Sequence, residues 1–207
     1  MRVNEQGRSM IEMLGVLAIV GVLSVGGIAG YSKAMNKFKT NKVIDQINMI
    51  STNIRTLYSS QRNYNGLNNT LAIQAGVVSG DMYDTTASTS KITNAFQGDV
   101  FITVGEHNSQ PGAAYIIGFD GLPKAACVAA ATTDWGGDVG SGFAGMIVLG
   151  TASSASTAAN TLSSNSLPTG NSIAIPGDAS RGTPMSIVYA QGSCANSADN
   201  AMALKYI

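Results

Sequence analysis

Two cysteines, Cys127 and Cys194, are the most reactive pair in the chain and stand 67 positions apart. With an exported N-terminus, an even pair reads as one disulfide made in an oxidising compartment; two separately buried thiols are the other reading. The second feature is a carboxylate. Glu12 heads a charge-free run, Met13–Ser32, with the charged Arg8 just before it. About twenty apolar residues suffice to cross a bilayer as a helix. A carboxylate at that edge is penalised by desolvation, so its presence asks for a reason. The plain one is a helix N-terminal residue at headgroup level, favoured by the helix dipole.

Other chemistry finds no constellation. His107 in "VGEHNSQPG" is the only histidine, and one histidine without a Cys/His cluster makes no usual zinc site. No serine lies in a nucleophile elbow, and no glycine-rich phosphate cradle follows a strand. Trp135 in "TTDWGGD" reads as a ring packed beside a turn, with ligand stacking as the alternative. The formal net charge is zero, only 12% of residues are charged, and no basic stripe favours nucleic acid. We expect no enzyme, no cofactor and no metal. The neutral, small-residue surface repels its own copies weakly, which permits self-association.

The elements that must position these groups follow from periodicity. The apolar run is rich in small residues, and Gly26 and Gly30 make a GxxxG spacing that lets helices approach closely in an apolar medium. Beyond Lys33, Val43, Ile47, Ile50, Ile54 and Leu57 recur at intervals of 4, 3, 4 and 3, one face of an amphipathic helix. The pattern predicts one helix from about residue 9 to about residue 60, with Lys33, Lys37, Lys39 and Lys42 as a solvated or headgroup-facing patch. "QRNYNGLNN" is a loop and "TLAIQAGVV" a short helix, followed by an irregular stretch over 79–99. Strands are predicted at "VFITV", "AAYIIGF", "GMIVLG", "NSIAI", "MSIVYA" and "AMALKYI". "GLPKAACVAAATTDW" reads as a turn and a short helix with Pro123 near its first turn. "GTASSASTAANTLSSNSLPTGN" reads as an exposed mobile loop. A long helix followed by strands gives an α+β fold, the helix packed on an antiparallel sheet.

The leader "MRVNEQG" is very short, and no A-x-A-like exit follows the apolar run, so the run is expected to stay. "GRSMIE" followed by an apolar helix resembles the prepilin signature of type IV pilins and related pseudopilins. The resemblance implies cleavage after Gly7 by a membrane-embedded prepilin peptidase and N-methylation of the new terminus, here Arg8. Counting from Arg8 puts Glu12 at the fifth mature position, where the family has its glutamate. The family's first mature residue is usually apolar or aromatic. A cut after Ser9 would supply Met10 but would move Glu12 to third, so Gly7–Arg8 is the preferred junction. The resemblance also gives Glu12 a partner: the terminal ammonium of a neighbouring subunit in a filament of packed helices. A charge left unpaired at low dielectric costs far more than the pair, so the pair would set axial register.

"AYIIGFDGLPKAAC" and a second cysteine shortly before the final strand are similar to type IVb pilins. The implied organisation is a leader peptide at 1–7 and a transmembrane and polymerisation helix at 8–32. The amphipathic helix half follows at 33–60, then a globular head at 61–207 with a disulfide-bounded region 127–194. The implied function is a structural pilus subunit for adhesion, aggregation or colonisation. Its partners would be further copies of itself, the prepilin peptidase, inner-membrane assembly machinery and an outer-membrane secretin. It would lie in the inner membrane first and in an extracellular fibre afterwards. The alternatives are a minor pilin or type II secretion pseudopilin, and a membrane-tethered module that does not assemble.

Overall fold

In the computed structural model, the described residues are 6–84, 90–136, 141–150, 153–164, 170, 172–178 and 181–207, with side chains described from residue 10 onward. The chain divides into two compact units, Met1–Phe38 and Lys39–Ile207. Helix α1, Gln6–Leu57, is continuous. It ends three residues before the expected stop.

In the second unit, helix α2 (Asn69–Gln74) precedes strands β1 (Ile92–Thr93), β2 (Asp99–His107) and β3 (Gln110–Leu122). Helix α3 (Lys124–Ala131), strand β4 (Phe143–Leu149), helix α4 (Ala155–Ser163), strand β5 (Ile173–Ala174), helix α5 (Ile187–Ser193) and strand β6 (Asn200–Tyr206) complete it. The strands form one antiparallel sheet in the order β1-β2-β3-β6-β4-β5, so the C-terminal strand lies in its interior. The β2–β3 hairpin turns on Asn108 and Ser109, whose φ of 50° and 61° match the strand twist.

Period-two alternation sorts the sheet into two faces. Tyr115, Ile117, Phe119, Met146, Val148, Met202 and Leu204 join Val43, Ile47, Ile50 and Ile54 of α1 in the main core. Full burial of each α1 side chain is worth about 1.5–3 kcal/mol. Leu57, predicted for the same face, is 38% exposed. The face closes one turn earlier because Tyr58 turns inward, its ring 5.3 Å from that of Tyr64.

The opposite face carries Ile116, Ile147, Ala201 and Ala203 against Ala158, Ala159 and Leu162 of α4. This corrects the expected mobile loop: α4 occupies its first half, capped by Ser154, whose hydroxyl accepts from the Thr157 amide. Of the remainder of that loop, residues 165–169 and 171 lie outside the described residues. The strand expected at "MSIVYA" is also corrected. Ser186 caps the start of a helix there, α5. Its β-branched pair, Ile187 and Val188, points to solvent at 62% and 76% exposure.

Candidate functional site

Two regions carry the features singled out in the sequence. The first is the N-terminal part of α1. The Gly7–Arg8 junction lies within the helix by backbone; the Arg8 side chain is not among the described residues. From Met10 to Tyr31 every large apolar side chain is exposed, Ile11 at 73% and Val25 at 71%. The helix is long and apolar enough to cross a membrane, and none of its most apolar stretch is buried. Glu12 is exposed on it, and among the described residues it makes no intrachain ion pair. A Cβ placed on Gly26 or on Gly30 would meet nothing within 4 Å, so both present bare backbone. Ser24 keeps its hydroxyl satisfied within the helix, donating to the Val20 carbonyl at 2.7 Å. This is a surface that an apolar medium or other helices can cover.

The second region is built around the cystine. Cys127 on α3 and Cys194 at the end of α5 are bridged, with Cα atoms 6.0 Å apart and both residues buried. Pro123 opens α3 with extended φ and ψ, where a missing amide proton costs nothing. Trp135 packs behind this helix and donates its indole N–H to the Ala130 carbonyl at 2.9 Å, so it is a core ring rather than a ligand platform.

Asn200 holds the base of the region. Its Nδ2 donates to the carbonyls of Leu122 at 2.8 Å and Ser197 at 3.0 Å, and its Oδ1 accepts from the Ala195 amide at 2.7 Å. One fully buried amide therefore ties the end of β3, the loop after the cystine and the start of β6 together. Asp120 acts likewise across the sheet. Its carboxylate accepts from the Asp99 amide at 2.6 Å and from the Ala155 amide at the start of α4 at 2.8 Å. Gly118 makes this possible, because a Cβ there would lie 2.3 Å from the Ala155 carbonyl oxygen. Neither Asn200 nor Asp120 was singled out in the sequence. A lone aspartate in "FDG" or a lone asparagine before a strand has no signature.

His107 ends β2 beside the hairpin turn, paired with Gln110. Among the described residues no group of three His, Cys, Asp or Glu side chains could hold a metal. Of the lysine patch, Lys42 pairs with Asp81 at 2.5 Å and Lys39 lies over the Phe96 ring at 5.8 Å from its centroid.

Comparison with known proteins agrees with this geometry. The family model described as Bundlin matches residues 32–207. Two relatives, each named major structural subunit of bundle-forming pilus, come from Escherichia coli O127:H6 and Escherichia coli O111:H-. Each is 33% identical over 132 residues, covering 64% of this chain and 66% of the relative's length. The crystal structure of TcpA, a type IV pilin from Vibrio cholerae El Tor biotype, superposes with a TM-score of 0.58. At 21% identity, over 82% of this chain and 99% of that one, this likeness shows the type IV pilin α+β fold. With most of its length matched by the family model, the chain belongs to the bundlin family.

Proposed function

We propose that this chain is the structural subunit of an extracellular pilus, polymerising through the N-terminal part of α1. The observation that carries the reading is the uncovered apolar surface from Met10 to Tyr31, on a chain whose 39–207 unit has its own core. That surface suits the inner membrane before assembly and the interior of a helix-packed fibre afterwards, since both are apolar. The names of the relatives, structural subunits of a bundle-forming pilus, support the same role.

Within this reading residues 1–7 are a leader removed after Gly7 by a prepilin peptidase, leaving Arg8 as a methylated first residue. Residues 8–32 form the membrane and polymerisation segment, 33–60 the amphipathic half of the helix, and 61–207 the head. Glu12 accepts the terminal ammonium of a neighbouring copy, and Gly26 and Gly30 let packed helices approach. The chain has a structural rather than a catalytic role. Assembly machinery in the inner membrane and a secretin in the outer membrane carry it outside.

The test is negative-stain microscopy of sheared surface material with subunit-specific antibody. Labelling along the length of fibres is expected. Sparse or tip labelling would make the chain a minor component, and label confined to the membrane fraction would end the polymer reading.

A further inference from the structure

Four lysines, Lys33, Lys37, Lys39 and Lys42, follow the charge-free run directly, and no acid comes before Asp45. The structure divides them. Lys42 pairs with Asp81 at 2.5 Å, and Lys39 lies over the Phe96 ring. Lys33 and Lys37 are exposed, and among the described residues neither makes an ion pair. Lysines beside the exported end of a membrane helix run against the usual excess of Lys and Arg on the cytoplasmic side. Two that the head does not use ask for another partner.

Their depth says which. At about 1.5 Å per residue, the run 13–32 rises about 30 Å, the thickness of a bilayer's hydrocarbon core. Lys33 and Lys37 then stand about 2 and 8 Å further along the axis, in a headgroup layer about 5–8 Å deep. Helix side chains lean toward the N-terminus, so both ammonium groups reach back into that layer. Helical phase adds an orientation. Lys33 and Lys37, four apart, share one face. Tyr31 and Phe38, seven apart, share the opposite one and are 68% and 61% exposed. An aromatic face backing a cationic one suits a membrane interface, with rings at the acyl boundary and ammonium groups among the phosphates.

We propose that Lys33 and Lys37 bind the headgroups of anionic phospholipids in the outer leaflet of the inner membrane. Each ammonium sits on a lipid phosphate, while Tyr31 and Phe38 lie against the acyl chains. The contact fixes the depth at which the unassembled subunit waits. That depth in turn sets the height at which Glu12, at the other end of the run, is offered to a growing fibre. Leaving the membrane breaks both lipid contacts, so anionic lipid holds the free subunit back until assembly draws it out. The proposal rests on the membrane stage of the pilus-subunit reading and names the lipid chemistry that holds the subunit there.

The test places p-benzoylphenylalanine at Ala34, exposed between the two faces, in the full-length chain. The chain is reconstituted in nanodiscs of equal phosphatidylglycerol and phosphatidylcholine, and after irradiation intact-mass analysis identifies the captured lipid. A lysine near an anionic surface gives about a fivefold preference, so phosphatidylglycerol is expected in roughly 5- to 30-fold excess. Lys33→Gln with Lys37→Gln should bring the ratio near one, whereas Lys33→Arg with Lys37→Arg should keep the excess because the charge stays. Both lysines are exposed, so thermal melting and the Cys127–Cys194 link should not change in either variant. Equal capture of the two lipids, an excess that survives the glutamine changes, or capture of a second copy in place of lipid would overturn the proposal. A chain that fails to enter the discs would overturn the membrane reading itself, and the headgroup site with it.

Discussion

The Ser51 hydroxyl of α1 and the Tyr115 hydroxyl of β3 meet at 2.8 Å in the buried seam between helix and sheet. Arg55, one turn further along α1, donates from its Nε to the same phenol oxygen at 3.2 Å and lies over the Tyr206 ring, 5.1 Å from its centroid. The Tyr115 ring in turn stacks on Tyr206 at 5.2 Å. A polar knot thus fixes the register of an otherwise apolar helix on the sheet. Burial pushes the phenols of Tyr115 and Tyr206 above their ordinary range, so both stay neutral at physiological pH.

Tyr115→Phe should therefore destabilise the head by about 1–3 kcal/mol, since it leaves the Ser51 hydroxyl and the Arg55 guanidinium short of a partner in a buried seam. Adding Ser51→Ala should cost less than the sum of the single changes. Chemical denaturation of the detergent-solubilised chain, run as a double-mutant cycle, measures the coupling.

Cys194→Ser should lower stability by about 2–5 kcal/mol, as expected when a long closed loop is opened in a secreted domain. Subunit abundance should fall before any binding activity changes. Peptide mapping without reductant should recover Cys127 linked to Cys194, and free thiols in surface material would contradict it.

Lys205 provides a pH test. It is buried on β6 and donates to the Ser164 carbonyl at 2.8 Å. Burial pushes its ammonium below the ordinary lysine range, with Glu106 pulling the other way. A lysine whose folded pKa is depressed is harder to keep charged in the folded state. It therefore subtracts stability below that folded pKa, and the penalty fades as pH rises from there toward the unfolded value of about 10.4. Lys205→Met should be neutral or stabilising by about 1 kcal/mol at neutral pH, and should flatten the alkaline rise in stability. Melting curves across that range read both effects.

How much of this was legible beforehand depended on whether side chains or partners decide the outcome. The 4-3-4 spacing of Val43 to Ile54 follows from burial on one helix face, and the nearly continuous apolar run "AAYIIGF" from burial of β3 on both sheet faces; both elements form where expected. Helix α4 hid in a polar, low-complexity stretch. Yet Ala155, Ala158, Ala159 and Leu162 already stood at i, i+3, i+4 and i+7, and small residues are what a helix lying close on Gly118 requires. Helix α5 was misread because Ile187 and Val188 favour strands by propensity. The Ser186 cap and the tie through Cys194 override that preference, leaving the β-branched pair outside. The roles of Asp120 and Asn200 depend on which distant amides arrive beside them, which no local pattern encodes.

The Gly7–Arg8 junction is checked by intact-mass analysis of surface-exposed protein. Loss of residues 1–7 together with one added methyl group is expected. A mature chain beginning at Met10, or one that keeps its leader, would contradict the junction and the count that places Glu12 fifth.

The central claim, polymerisation through α1 with Glu12 setting the register, is tested by one ratio: subunit in sheared fibres to subunit left in the membrane, for Glu12→Val against the unaltered chain. Glu12 belongs to neither hydrophobic cluster of the head, and removing a carboxylate beside an apolar run eases membrane insertion. Folding, the disulfide and processed subunit levels should all be preserved. In the fibre, a neighbour's terminal ammonium would lose its partner at a cost of about 3–5 kcal/mol for a broken buried pair, repeated at each added subunit. The predicted result is a ratio near zero at normal membrane levels, with Glu12→Asp intermediate because its carboxylate reaches the amine poorly. An unchanged ratio in Glu12→Val would contradict the claim.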